Sequence, residues 1–166
     1  MVVGNRTVKN ALMFGKVKKW LGIEGVKLEL ILPEVGDLQE GSISGTIRFY
    51  SLHAQTVTAV RVLMIEKFSR GRRNDKLTDE YELGSLVMER EIAIPSQESV
   101  ELDFDLPFEL IKSEMDELEG RNAVLGGWAR TAKWIRGVKS EYSILAEAKV
   151  RGVALNPFDK QLLVTD

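Results

Sequence analysis

Apolar side chains recur at every second position in segment after segment of this chain, and a period of two is the period of a strand with one buried face. Residues 26–32 set Val26, Leu28, Leu30 and Leu32 against Lys27 and Glu29. Residues 42–50 turn Ile43, Gly45, Ile47 and Phe49 inward, and an inward glycine leaves room for a close neighbour. Residues 100–106 alternate Val100, Leu102, Phe104 and Leu106 with Glu101, Asp103 and Asp105, and residues 141–151 repeat the pattern through Ile144, Ala146, Ala148 and Val150. Residues 57–68 are apolar on both faces around Val60 to Ile65, which predicts a central strand covered on both sides. Residues 80–94 predict two short strands or one bent one, and residues 160–165 a last strand. Pro33, Gly36, Asp37 and Gly41, then Pro95 to Ser99, then Asn156 and Pro157, mark turns, and the polar stretch 69–79 reads as an exposed hairpin loop. Seven or so short strands at this spacing predict an all-β, immunoglobulin-like antiparallel β-sandwich.

Two stretches break the period. Residues 8–21 place Val8, Leu12, Val17, Trp20 and Leu21 near one helical stripe, stopped by Gly22 and Gly25, which predicts a short amphipathic helix. Residues 108–139 read as a helical insertion, about 109–138. Its first half is acidic, with Leu110, Ile111, Met115 and Leu118 at helical spacing and Gly120 closing it. Its second half is basic, with Leu125, Trp128, Ala132 and Ile135 on one face. The expected organisation is one sandwich domain over residues 1–166 that carries both helical pieces.

Composition removes most chemistry. The chain has no cysteine, so disulfides, thiolate metal sites and cysteine nucleophiles are excluded. It has one histidine, His53, in a turn between two strands, which leaves no partner for a multi-histidine zinc site and makes a triad a poor reading beside that of an ordinary loop residue. A net charge of -2 does not suit a nucleic-acid binder. No run of about 18 apolar residues exists, and the lysines near the N-terminus break any secretory h-region, so the expected location is the cytoplasm.

Four stretches together carry a resemblance: KKWLGIEGVKLELIL leading into the first strand, the glycine-framed EGSISGTIRF, ELDFDLPF ending in Phe-x-Leu-Pro, and the terminal ILAEAKVRGVALNPFDKQLLV. In their order the chain resembles the bacterial sporulation-control protein family, whose domain is similar to the N-terminal half of arrestins. The resemblance covers residues 18–107 and 141–165. It implies an arrestin-like sandwich and a regulatory or scaffold-like role, and it supplies no catalytic residue. The chain departs from the family in the insertion at 108–139 and in carrying one sandwich where arrestins have two.

The remaining candidates are surfaces. Glu101, Asp103 and Asp105 stand about 7 Å apart on one strand face. Paired carboxylates can do acid–base work or hold calcium, but a solvated outer face that keeps the sheet from aggregating accounts for them better. Arg70, Arg72 and Arg73 cluster around Gly71 and suit phosphate or an acidic peptide, although exposed hairpin tips often look the same. Trp128, Arg130, Lys133, Trp134 and Arg136 make the insertion's second half a basic, tryptophan-bearing helix, fit for a partner groove or a membrane interface, or for docking on its own sandwich. Trp20 has the same ambiguity. The expected function is therefore a non-catalytic interaction module that binds a protein or peptide through a strand edge or the insertion. The alternative is peripheral association with an anionic membrane through 8–21 and 124–139, and the third reading, an enzyme, has least support. No cofactor or nucleic acid is expected, and self-association through a sheet edge or the insertion is open.

Overall fold

A computed structural model describes residues 25–71, 77–110 and 139–165, and the described residues form strands and turns with no helix. The strands are β1 (Lys27–Ile31), β2 (Ser42–Tyr50), β3 (Gln55–Arg70), β4 (Leu77–Ile94), β5 (Ser99–Pro107), β6 (Lys139–Val150) and β7 (Phe158–Leu163). They form two antiparallel sheets, one of order β1-β2-β5 and one of order β4-β3-β6-β7. The residues that period two turned inward make the core between them: Leu28, Leu30, Ile47, Phe49, Leu102 and Leu106 from one sheet, and Val60, Val62, Met64, Ile144, Ala146 and Ala148 from the other. This is the arrangement of a β-sandwich.

Two expectations change. The stretch 69–79 is not all loop: Ser69 and Arg70 end β3, and Leu77 to Asp79 begin β4, paired as Ser69↔Thr78 and Arg70↔Leu77. A ladder of main-chain hydrogen bonds between two long strands carries past polar side chains, because main-chain groups form it whether a side chain is exposed, as at Arg70, or buried, as at Ser69. Residues 80–94 form one strand, joined to residues 77–79, with its register shifted against Val57/Ala59 and again at Met64/Ile65. The second irregularity is why its inward residues change parity from Leu83 to Leu86. Of the expected helices, Glu109 and Leu110 are not helical; the rest of the insertion and the segment 8–21 lie outside the described residues.

The two sheets share no strand, so they meet at two corners. At one, the end of β5 crosses β4. The amide of Glu109 donates to the carbonyl of Leu83 (3.0 Å), the amide of Phe108 to that of Gly41 (2.9 Å), and the Phe108 side chain is buried. Gly84 makes the crossing possible. A Cβ there would stand 2.3 Å from the Pro107 carbonyl oxygen, which is main chain and cannot rotate away. Gly45 has a related role inside the three-stranded sheet. The Phe104 ring lies across it, and a Cβ would come within 2.6 Å of that ring and 2.9 Å of the Ile31 carbonyl oxygen. Overpacking of this kind costs about 1–3 kcal/mol. Gly84→Ala is expected to lower the unfolding free energy by roughly that amount in urea titration, since the β5 crossing must move to accept the methyl group.

Candidate functional site

On the outer face of the three-stranded sheet, the acidic row of β5 is met rung by rung by β2. Register sets Ser44 opposite Asp105, Thr46 opposite Asp103 and Arg48 opposite Glu101. Ser44 Oγ donates to Asp105 (3.0 Å), Thr46 Oγ1 to Asp103 (2.8 Å) and Arg48 Nε to Glu101 (2.9 Å), while Arg48 Nη1 reaches Glu29 on β1 (3.2 Å). Each carboxylate thus has a cross-strand partner, the unit by which sheets are stabilised. The row is a solvated ladder. Beside it, an open groove of about 620 Å³ runs past the end of β1, between Ile31 and Pro33 on one side and Asp103 and Asp105 on the other. Its two carboxylates already accept from Thr46 and Ser44. Among the described residues, no group of three His, Cys, Asp or Glu side chains is placed to hold a metal ion. His53 sits exposed in the turn between β2 and β3.

Of the basic and aromatic candidates, Arg70 is described. It is the last residue of β3, exposed, with its guanidinium 3.8 Å from the Asp79 carboxylate on β4. Trp20, Arg72, Arg73, Trp128, Arg130, Lys133, Trp134 and Arg136 lie outside the described residues.

Among the described residues, β7, an edge of the four-stranded sheet, exposes several large apolar side chains. Its side chains divide by parity. Asp159, Gln161 and Leu163 point inward. Phe158, Lys160 and Leu162 point out, and Val164 continues the same face. Phe158 is 69% exposed, Leu162 70% and Val164 61%, and Leu155 in the preceding turn is 84% exposed. Leu63 and Leu145, paired on β3 and β6, extend this face inward as half-buried residues, with Leu145 opposite Lys160. The main chain divides in the same way. The Pro157 carbonyl accepts from Ala148 of β6 (3.0 Å), so odd-numbered groups face β6. The Val164 carbonyl accepts from Gly36 (2.8 Å) on the other side, so the amides and carbonyls of Phe158, Lys160 and Leu162 point away from the sheet.

The inward half of β7 closes the second corner of the sandwich. Asp159, buried in the fold, accepts the amide of Leu30 on β1 (3.0 Å), and the side-chain amide of Gln161 donates to the Leu30 carbonyl. Two side chains from one sheet thereby satisfy the outward main-chain groups of one residue in the other, which an edge strand otherwise leaves open. Periodicity alone had no means to find this pair; Asp159 and Gln161 stand at inward positions where the pattern calls for apolar residues, and that mismatch is the one signal the sequence offers.

Asp159→Ala is expected to destabilise the fold by about 1–3 kcal/mol, because the buried Leu30 amide loses its acceptor. Asp159→Asn keeps an oxygen at that place and is expected to cost less, read as the difference between the two variants' denaturation midpoints.

No protein-family model matches the sequence, and no curated protein matches it. Among solved structures, the fold is similar to that of the sporulation control protein Spo0M from Bacillus subtilis, with a TM-score of 0.57 at 13% sequence identity. The likeness covers 87% of this chain and 50% of that one, so the chain spans about half the length of the solved structure it matches. At this identity the likeness is one of fold, and it agrees in kind with the family resemblance carried by the strand motifs.

Proposed function

We propose that this chain is a non-catalytic, regulatory or scaffold-like interaction module that takes a protein partner along the β7 side of its four-stranded sheet. The observation that carries the reading is the strip of Phe158, Leu162 and Val164, exposed beside main-chain donors and acceptors that point away from the sheet. Contiguous exposed apolar surface rimmed by polar residues marks interaction sites on soluble proteins. A strand laid along such an edge gains affinity from main-chain hydrogen bonds and specificity from alternate side chains. That mode needs no catalytic group and no special motif. The outer face of the three-stranded sheet offers a contrast, since its β5 carboxylates are occupied by their cross-strand partners. The regulatory character rests on the fold's likeness to Spo0M, a sporulation control protein.

A photo-crosslinking residue placed at Phe158 tests the assignment against one placed at Asp103 on the opposite sheet. Irradiation in a lysate of the native host is expected to give a discrete protein adduct from position 158 and none from position 103. Adducts from 103 alone, or from neither, would move the interaction surface away from β7.

A further inference from the structure

The inward face of β3 runs Val60, Val62, Met64 and then Glu66. The first three are core residues. Glu66 is 7% exposed, and among the described residues no hydrogen bond or ion pair reaches its carboxyl group. Burying such a group without a partner is unfavourable, and native structures seldom keep one unless something from outside the core meets it. Register places Tyr81 of β4 and Tyr142 of β6 directly opposite Glu66, so the three share one face. Tyr142 packs against the core, whereas Tyr81 is 40% exposed, so the row opens to solvent on the β4 side. The basic residues nearest along these strands are committed elsewhere. Arg70, on the same face, lies four residues or about 13 Å further along β3 and faces Asp79. Arg61 pairs with Glu82 and Lys139 with Glu141, and Lys67 is exposed on the opposite face.

From this row we infer that Glu66, Tyr81 and Tyr142 receive an organic cation, a guanidinium or an ammonium group; the inference is independent of the reading of β7. The carboxyl group supplies the charge and the acceptor oxygens. Tyrosine rings are negative over their faces and attract a cation within about 6 Å. Directly opposite residues have Cβ atoms about 5 Å apart, which sets both rings beside the carboxyl group. A bare metal ion suits the row poorly. Calcium takes roughly 6–8 oxygen ligands, whereas among the described residues no group of three His, Cys, Asp or Glu is placed to hold a metal ion. A neutral ligand would leave a buried charge unmatched. Arginine and lysine carry the required cation on a long apolar stem, and it has two sources. One is a protein or peptide partner. The other is the chain itself, which has Lys112, Arg121, Arg130, Lys133 and Arg136 between Leu110 and Lys139. The described residues at either end stand near the row. The amide of Glu109 donates to Leu83, two residues from Tyr81, and Lys139 pairs with Ser69, three residues from Glu66. A base tethered between those points has a high effective concentration at the row.

Thermal melting of the full chain with N-acetyl-arginine amide tests the site, with N-acetyl-citrulline amide as the uncharged control. Four proteins are compared: wild type, Glu66→Gln, a variant with Lys112, Arg121, Arg130, Lys133 and Arg136 all replaced by glutamine, and that variant combined with Glu66→Gln. Glutamine matches glutamate in size, and circular dichroism checks that each protein is folded; single replacements of the five bases stand in for a combined variant that is not. The expected result is a rise in melting midpoint of roughly 3–6 °C, at about tenfold the Kd of the arginine compound, that requires Glu66. A rise in wild type that Glu66→Gln abolishes identifies a partner as the source of the cation. A rise confined to the variant without the five bases, and abolished there by Glu66→Gln, identifies the chain's own base. No rise that depends on Glu66 in either background, or an equal rise with the citrulline compound, would overturn the cation site.

Discussion

Two sheets that share no strand must be held together by something other than the ladders that hold each sheet, and here that is done by burial between them and by polar contacts at two corners. Burial is the larger contribution, because it removes the inward faces of both sheets from water. It is also non-directional, and by itself would let one sheet slide on the other. The corner contacts are directional. Asp159 and Gln161 grip both main-chain groups of Leu30, and Glu109 donates to Leu83 where Gly84 lets the chains cross. They fix which residue of one sheet stands over which residue of the other.

The same contacts decide what the surface offers. A strand edge is either paired, covered or open, and the corners cover most of β1 and the end of β5. β4 carries Glu80, Glu82, Glu89, Arg90 and Glu91 together with exposed Leu77, Tyr81 and Val87. Among the described residues, the outer side of β7 is paired at its end by Gly36, its inward side chains are used for closure, and its outward ones are Phe158, Lys160 and Leu162. One strand of six residues thus serves the fold with its odd positions and solvent with its even ones. The interaction proposed for this edge would depend on main-chain geometry, so it requires no cysteine, no histidine and no motif.

Much of the architecture is legible in the sequence because a period of two has one physical cause. Alternation points Leu28, Leu30, Ile47, Phe49, Leu102, Phe104, Leu106, Ile144, Ala146, Ala148 and Val150 inward, and all are in the core. Gly45 was legible as a place of close approach, and the Phe104 ring fills it. The hairpin at 69–79 was less so, because polar composition measures exposure and not pairing. The exposure of the even residues of β7 is not legible in the sequence. Phe158 and Leu162 look like core residues in a list of apolar side chains, and their exposure depends on Asp159 and Gln161 taking the inward places beside them.

The sequence by itself determined that the chain would form antiparallel sheets with one face buried, which residues that face would hold, and that cysteine and multi-histidine chemistry had no place in it. These follow from local alternation and from composition. Only the tertiary structure decided which strands would be edges, which edges would be closed, and which apolar residues would remain in water. Those outcomes depend on contacts between residues as far apart in the chain as Leu30 and Asp159, and no periodicity along the chain encodes a contact between two strands that belong to different sheets.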